Sequence, residues 1–143
     1  MIYVISGENL KDDVLIISPK FITLYEQSEE SDWYWNTTSW KWGLQSYSSF
    51  NGNNISTFEI IDSLVSKLAN KDLFPQLTDI LLTGHSSGAA FVHMYSSTKF
   101  DNIYNNTNIH FSVVNNQYFL HPDSTRLLSN GSLSVLENCE VYN

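Results

Sequence analysis

Apolar residues occur along this chain in short runs whose spacing predicts the secondary structure. The continuous run at residues 13–18 ends at Pro19, and it is typical of a strand buried on both faces of a parallel sheet. Residues 80–83 form a second run of this kind, which predicts another short buried strand. Residues 2–5 are also apolar, but so short a segment fits either a strand or the last turn of a helix.

Helical spacing of apolar residues predicts two helices, over residues 57–70 and 86–97. The first begins with the pattern of a capping box, in which Ser56 and Glu59 each bond the backbone N–H of the other. Pro75 marks a point beyond the end of this helix. Its predicted apolar face comprises Phe58, Ile61, Leu64, Val65 and Leu68.

The other segments are polar or only weakly patterned. Residues 26–54 are rich in aromatics and lack periodicity, so we expect one long excursion with little regular structure. The Asn-rich residues 101–108 predict a loop, and the partial alternation of residues 109–114 predicts a strand. Residues 115–143 have a weak apolar pattern, with turn signals at residues 121–123 and 130–131.

The order of these elements is strand, loop, helix, strand, helix, strand. Such alternation predicts the α/β class, with a mostly parallel sheet, flanking helices and right-handed crossovers. A length of 143 residues with 42% hydrophobic residues is enough for one core and too little for two. We therefore expect a single domain over residues 1–143.

A glycine-bounded serine lies between the strand at residues 80–83 and the second helix. The sequence there is Gly84-His85-Ser86-Ser87-Gly88, which matches the G-x-S-x-G pattern of a nucleophile elbow. Such a turn is so sharp that its flanking positions must be small, and the helix that follows aims free N–H groups at the serine. The alternative is an ordinary strand-to-helix turn in which Ser86 caps the helix.

Together with this turn, several segments give the chain a resemblance to the α/β-hydrolase superfamily, and within it to uncharacterised microbial and fungal hydrolases. The similar segments are residues 16–21, 35–43, 56–59 and 84–88, together with residues 113–120, where Asn116 and Gln117 replace a Pro-Ser pair. The resemblance implies an incomplete α/β-hydrolase-like three-layer sandwich. It also implies a serine hydrolase of the esterase, lipase or peptidase kind, acting on a small ester or amide.

The resemblance assigns a role to each residue of the turn. Ser86 becomes the nucleophile, the backbone N–H of Ser87 becomes an oxyanion donor, and Gly84 and Gly88 provide room. His85 diverges from its neighbour in such a turn, so we expect it to pack or to line the substrate. A serine hydroxyl is a weak nucleophile until a base removes its proton, and the oxyanion needs donors already aimed at it.

A serine hydrolase needs a base and an acid beside its serine to form a catalytic triad. The sequence identifies these two residues less clearly than it identifies the serine. In the superfamily the acid and then the histidine follow the serine, on loops after later strands. His93 is predicted about two turns along the helix and pointing away, and His110 is predicted within a strand. His121, in a predicted turn beside Pro122, is the candidate base. No acid is identified.

We therefore expect an incomplete catalytic unit that lacks the family's first strands and its usual histidine. Two alternatives stay open: a non-catalytic binding module, or a gene fragment that keeps the fold without the triad. Trp33, Trp35, Trp40 and Trp42 could form a binding surface, or they could pin their loop to the core. Unpaired sheet edges predict self-association or binding of a complementing segment.

Charge and composition limit the partners. A net charge of −8 with only seven Lys and Arg argues against a nucleic-acid partner. No apolar run approaches the roughly 20 residues of a membrane span, and no basic segment precedes the N-terminal apolar residues, so we expect no secretory signal. Cys139 is the single cysteine, which fits a cytoplasmic location. The spacing of His and Cys predicts no metal site, and we expect no cofactor.

Overall fold

The computed structural model describes residues 2–3, 14–26, 29, 31–47, 52–99, 103–120, 125–128 and 130–135. The chain divides by its internal contacts into two compact units, Met1–Pro75 and Gln76–Asn143. In the part of the chain that is described, no helix is long and apolar enough to cross a membrane.

The first unit begins with a short antiparallel ribbon. β1 (Ile2–Tyr3) pairs with β2 (Ile16–Ile17), with Ile2 opposite Ile17. Val14 is 43% exposed and Leu15 is 48% exposed. The prediction of a strand buried in a parallel sheet over residues 13–18 is therefore wrong. Apolar composition favours a strand but does not choose its partner, and a two-stranded ribbon cannot cover both of its own faces.

The aromatic excursion is largely irregular, as predicted. Among its described residues, Ser39–Trp42 form a 3-10 turn, and Trp35 and Gln45 each take part in an isolated β-bridge. A second 3-10 turn, Leu24–Glu26, ends where the excursion begins. Trp35 is 3% exposed, and its indole N–H donates to the Leu44 carbonyl oxygen at 3.0 Å. Phe21 packs edge-on against Trp35 and stacks on Trp40. These contacts favour the interpretation in which tryptophans pin the segment in place.

The helix α1 (Thr57–Leu68) begins at the predicted residue and ends two residues early. Its capping box is confirmed: the Ser56 side chain accepts from the Glu59 backbone N–H, and the Ser56 N–H donates to the Glu59 carboxylate at 2.7 Å. The Phe58 N–H also donates to Ser56 Oγ, at 3.0 Å. Ile61 and Val65 are buried on the predicted apolar face.

The start of α1 also holds the aromatic segment. The Ser56 hydroxyl donates to the Gly43 carbonyl oxygen at 2.6 Å, and the Thr57 hydroxyl donates to that of Trp40 at 2.7 Å. Thr57 is fully buried, so its hydroxyl bond replaces one that water would otherwise supply. The hydroxyls that cap the helix thus fasten the loop to it.

The second unit is built on a β-α-β unit. β3 (Asp79–His85), α2 (Ser87–Ser97) and β5 (Thr107–Val114) follow one another, and β3 pairs with β5 in parallel from Asp79 opposite Asn108 to His85 opposite Val114. α2 packs against both strands, with Tyr95 edge-on to Phe111. The predicted strand, helix and strand are confirmed here, and β5 begins two residues before the predicted start.

Burial of β3 alternates along the strand. Ile80 is 9% exposed, whereas Leu81 is 62% exposed on the opposite face. The prediction that residues 80–83 are buried throughout is therefore wrong for Leu81. Within this unit α2 covers one face of the strand pair, and the period of two along a strand turns alternate side chains to the other face.

Two hairpins complete this unit. β4 (Ile103–Tyr104) joins β5 through Asn105 and Asn106, whose φ values of 48° and 59° are those of a turn with two left-handed residues. Residues 103–108 are therefore a hairpin, not the predicted loop. β6 (Thr125–Leu127) and β7 (Leu133–Val135) form the second, with Gly131 at a φ of 82° in the predicted turn.

The α/β class is confirmed in its general form. The described strands form three small sheets, one of which has the order β3-β5-β4. Among the described strands, β3 and β5 pair in parallel and the other strand pairs are antiparallel. Outside these strands, Thr23 and Trp35 form an isolated parallel bridge. The single domain, the three-layer sandwich and the turn predicted at residues 121–123, which lies outside the described residues, stay predictions.

Ser56→Ala tests the anchoring of the aromatic segment. Loss of the cap and of the bond to Gly43 should lower the free energy of unfolding by about 1–2 kcal/mol in urea denaturation. Ser63→Ala is the matched control, because the Ser63 hydroxyl bonds only along its own helix to Glu59. We expect the control to stay within about 0.5 kcal/mol of the parent chain. Equal losses in both variants would contradict the anchoring role.

Candidate active site

Ser86 occupies a strained backbone conformation between β3 and α2. Its φ is 55° and its ψ is −117°, values that side-chain-bearing residues rarely adopt. Such a conformation costs about 1–3 kcal/mol and persists only where the surroundings hold it. The Ser86 N–H donates to the Val114 carbonyl oxygen at 3.1 Å, and the Ser86 carbonyl oxygen accepts from the Ala90 N–H at 3.1 Å. The turn is therefore fixed by β5 on one side and by α2 on the other.

The Ser86 side chain does not act as an ordinary helix cap. A capping serine has extended backbone angles and accepts a bond from the second or third helical N–H. Ser86 stands at the capping position of α2 with a positive φ, and its side chain makes no cap hydrogen bond. The residue is exposed. These observations favour the elbow interpretation over the capping alternative.

The two glycines of the turn differ in what they allow. A Cβ on Gly84 would collide with the backbone carbonyl of Gly88, so β3 and α2 can meet this closely only with glycine at position 84. A Cβ on Gly88 would meet nothing within 4 Å outside its own helix backbone and neighbours. Of these two positions, it is therefore position 84 that requires glycine for steric reasons.

Ser87 is the first residue of α2 and is exposed. The first N–H groups of a helix have no partner within the helix, and the helix dipole places partial positive charge there. A backbone N–H at this position can therefore stabilise negative charge that develops beside Ser86. This is the chemistry expected of an oxyanion donor.

The loop after β5 begins beside the turn. Asn115 has a φ of 55°, and the Asn116 side chain bonds the backbone of Tyr118, accepting from its N–H at 3.3 Å and donating to its carbonyl oxygen. The Leu120 N–H donates to His93 Nε2 at 2.7 Å. Asn115, which adopts a left-handed φ, and Asn116, whose side chain bonds the nearby backbone, thus build this turn.

The histidines are distributed around the unit. His85 is exposed at the end of β3, opposite Val114. His93 is half-buried on α2 and accepts the Leu120 bond through Nε2. His110 lies within β5, as predicted. His121 lies outside the described residues, so its role as base stays a prediction.

Sequence reasoning missed an Asp-His pair on the open face of the sheet. His110 Nε2 lies 2.8 Å from Asp79 Oδ1, and this contact, with hydrogen bonds from Thr78 and Asn108, lowers the pKa of Asp79 from 3.8 to about 2. Asp79 opens β3 and Ser86 follows its last residue, so the pair lies about 20 Å from the turn. The pair therefore cannot serve Ser86 as acid and base.

The tryptophan segment presents little exposed ring surface. Trp35 is buried, and Trp33, Trp40 and Trp42 are half-buried. Lys41 lies over the Trp42 ring with its Nζ 5.1 Å from the ring centre. Among the described residues, no group of three or more His, Cys, Asp or Glu side chains could hold a metal ion.

Comparison with protein-family models, with curated proteins and with solved structures finds no match for this chain. The geometry around Ser86 is therefore the main support for any function assigned to it.

Gly84→Ala tests whether the elbow depends on the close approach of β3 and α2. The added methyl group would collide with rigid backbone, so we expect a loss of about 1–3 kcal/mol in the free energy of unfolding. Gly88→Ala is the control, because its methyl group meets open space and alanine favours a helix by roughly 0.5–1 kcal/mol over glycine. Urea denaturation measures the free energy of unfolding of both variants. Equal values would contradict the claim that position 84 requires glycine.

Asp79→Asn tests the pair between Asp79 and His110 through pH. Because folding lowers the pKa of Asp79 from 3.8 to about 2, its carboxylate contributes stability above 3.8 and loses that contribution as the pH falls toward 2. The stability difference between the parent chain and the variant should therefore shrink over this interval. Asn108→Ala removes a lesser partner and should keep most of the pH dependence. A difference that is constant with pH would contradict the pair.

Proposed function

We propose that this chain is a serine-hydrolase-like protein in which Ser86 is the nucleophile of acyl hydrolysis. The observation that carries the proposal is the strained, exposed Ser86, which sits between a parallel strand and a helix without capping that helix. Strained serines on sharp strand-to-helix turns are the form in which this chemistry is commonly presented. The substrate class is a small ester or amide.

The reaction follows from the geometry of the turn. Ser86 Oγ attacks the acyl carbon and its proton passes to a base, while the carbonyl oxygen gains a negative charge that the Ser87 N–H would stabilise. Collapse of the intermediate breaks the bond to the alcohol or amine, which leaves with the proton from the base. Water then attacks the acyl-enzyme, and the acid is released with Ser86 restored.

His121 is the base that we propose to test. Its neighbour Leu120 is hydrogen-bonded to His93, which stands about 10 Å along α2 from Ser86. The loop that leads to His121 thus starts beside Ser86 and runs along the same helix, which supports the candidate. The histidines of the described residues support it by elimination, because His93 is bonded to Leu120 and His110 to Asp79.

The α/β-hydrolase fold is part of this proposal. The β3-α2-β5 unit, with the serine after β3 and a parallel strand beside it, is the arrangement that the fold requires around its nucleophile. A three-layer sandwich would also need a layer on the open face, where Leu81 is 62% exposed. Incomplete coverage of this face supports the proposal of an incomplete catalytic unit.

A non-catalytic module is the second candidate. It is favoured by one observation: His93 and His110, two of the three histidines in the described residues, are engaged away from Ser86. In that case Ser86 would keep its turn without reacting, and the chain would be a binding protein or a gene fragment. Self-association belongs to the gene-fragment alternative, whereas a complementing segment would complete the catalytic unit proposed first.

Covalent labelling by a fluorophosphonate separates the two candidates. We expect the purified chain to be labelled and Ser86→Ala to lose the label completely. Ser97→Ala, on the last residue of the same helix, is the control and should be labelled like the parent chain. His121→Ala should slow labelling by about a hundredfold or more if His121 is the base. Absence of label on the folded parent chain would reject catalysis by Ser86 and favour the binding module.

A further inference from the structure

An exposed apolar stretch begins four residues beyond the end of β5, the strand whose Val114 carbonyl oxygen accepts the Ser86 N–H. Tyr118 is 54% exposed, Phe119 is 62% exposed and Leu120 is 47% exposed. Single exposed apolar residues are ordinary, but three large ones in succession on a surface loop indicate a binding site for an apolar ligand or partner. We call these three residues the apolar loop surface.

The apolar loop surface is fixed to the same elements as the serine. The loop leaves β5 at Val114, whose carbonyl oxygen accepts the Ser86 N–H, and its described part runs to Leu120, whose N–H donates to His93 on α2. Ser86 and His93 are seven residues apart in sequence, so the loop follows α2 for about 10 Å from the serine. Asn116 holds the middle through its bonds to Tyr118. A chain of atoms leaving Ser86 along α2 would therefore meet this surface.

The chemistry of the loop selects among apolar ligands. Residues 115–120 contain no charged side chain, so a free carboxylate would find no cation in this segment to pair with. A neutral chain loses no hydration of charge when it is buried there. The loop therefore suits an uncharged apolar chain, such as the acyl chain of an ester.

We propose that the apolar loop surface binds the acyl chain of the substrate, so that Ser86 prefers esters of medium-length, unbranched acids over acetate esters. This inference rests on the function proposed for Ser86. An extended octanoyl chain has about the length of helix that the loop follows. Each methylene that is fully buried should raise the specificity about fourfold.

His93 is a positioning residue for this surface. Its Nε2 accepts the Leu120 N–H at 2.7 Å, and its ring lies edge-on to Phe119 with the ring centres 5.8 Å apart. Both contacts join the loop to α2. Loss of the acceptor should loosen the apolar loop surface without touching Ser86.

The test compares kcat/KM for p-nitrophenyl octanoate with kcat/KM for p-nitrophenyl acetate. The parent chain should prefer the octanoate, and Phe119→Ser should reduce that preference about tenfold. Leu73→Ser is the matched control, because Leu73 is 55% exposed on the first unit. We expect the control to keep the preference of the parent chain.

Two results would overturn the inference. One is acetate hydrolysis by Ser86 with no preference for the longer ester, which leaves the proposed function standing. The other is a Phe119→Ser variant that changes sedimentation but not the preference, which would make this surface a contact between copies of the chain.

A binding measurement on a variant that lacks the Ser86 hydroxyl tests this inference independently of the proposed function. Ser86→Ala should bind octanamide more tightly than acetamide in calorimetric titration, and Phe119→Ser in that background should lose the difference. If the parent chain hydrolyses neither ester but Ser86→Ala shows this difference, the proposed function fails and the apolar loop surface stands. If octanamide does not bind, the inference fails.

The role of His93 is tested by a pair of substitutions. His93→Gln keeps an acceptor at a similar reach, and His93→Leu removes it. Amide hydrogen exchange at Leu120 should speed up in His93→Leu and be restored toward the parent rate in His93→Gln. The preference for the octanoate should fall in His93→Leu and be restored toward that of the parent chain in His93→Gln. A merely structural role would lower stability in both variants without changing the preference selectively.

Discussion

The turn at Ser86 depends on how closely β3 and α2 approach each other. The approach is possible because Gly84 has no Cβ to collide with the Gly88 carbonyl. The unfavourable backbone conformation of Ser86 costs free energy. The hydrogen bonds from its backbone to Val114 and Ala90 offset part of that cost. Burial of the helix against the strands adds to this, since Phe91 and Tyr95 are almost fully covered. The strain is thus held by packing that no single residue supplies.

The same constraint organises what surrounds the serine. Because Val114 bonds the turn, the chain that leaves β5 must begin at the candidate nucleophile. Asn116 and His93 then direct that loop along α2. The candidate nucleophile, the N-terminus of α2 and an apolar loop are in this way brought to the C-terminal end of the strand pair by backbone bonds.

The first unit is held together by a different means. Its aromatic segment has few regular elements, and its stability comes from buried rings and from hydroxyls that bond carbonyl oxygens across the loop. Ser56 and Thr57 are the clearest examples, since each lies at the start of α1 and bonds the aromatic segment. Such bonds are favoured in buried positions because an unmade bond there costs more than one in water.

Much of the local structure and the position of the candidate nucleophile followed from the sequence, because short-range rules govern them. The start of α1 is set by side chains that bond backbone within one turn, and the turn at Gly131 is set by a residue that tolerates a positive φ. Ser86 was found in the same way, since the glycine beside it and the elements around it are neighbours along the chain.

Only the tertiary structure decided which strands pair and which faces are covered. Residues 13–18 were expected in a parallel sheet, but β2 pairs with β1 and stays partly exposed. The contacts of Asp79 with His110 and of His93 with Leu120 join residues far apart in sequence, through a register that no local pattern encodes. The sequence alone therefore determined the position of the candidate nucleophile, because a turn is formed by residues that are adjacent along the chain. Its surroundings depend on packing between distant segments, which the fold alone could decide.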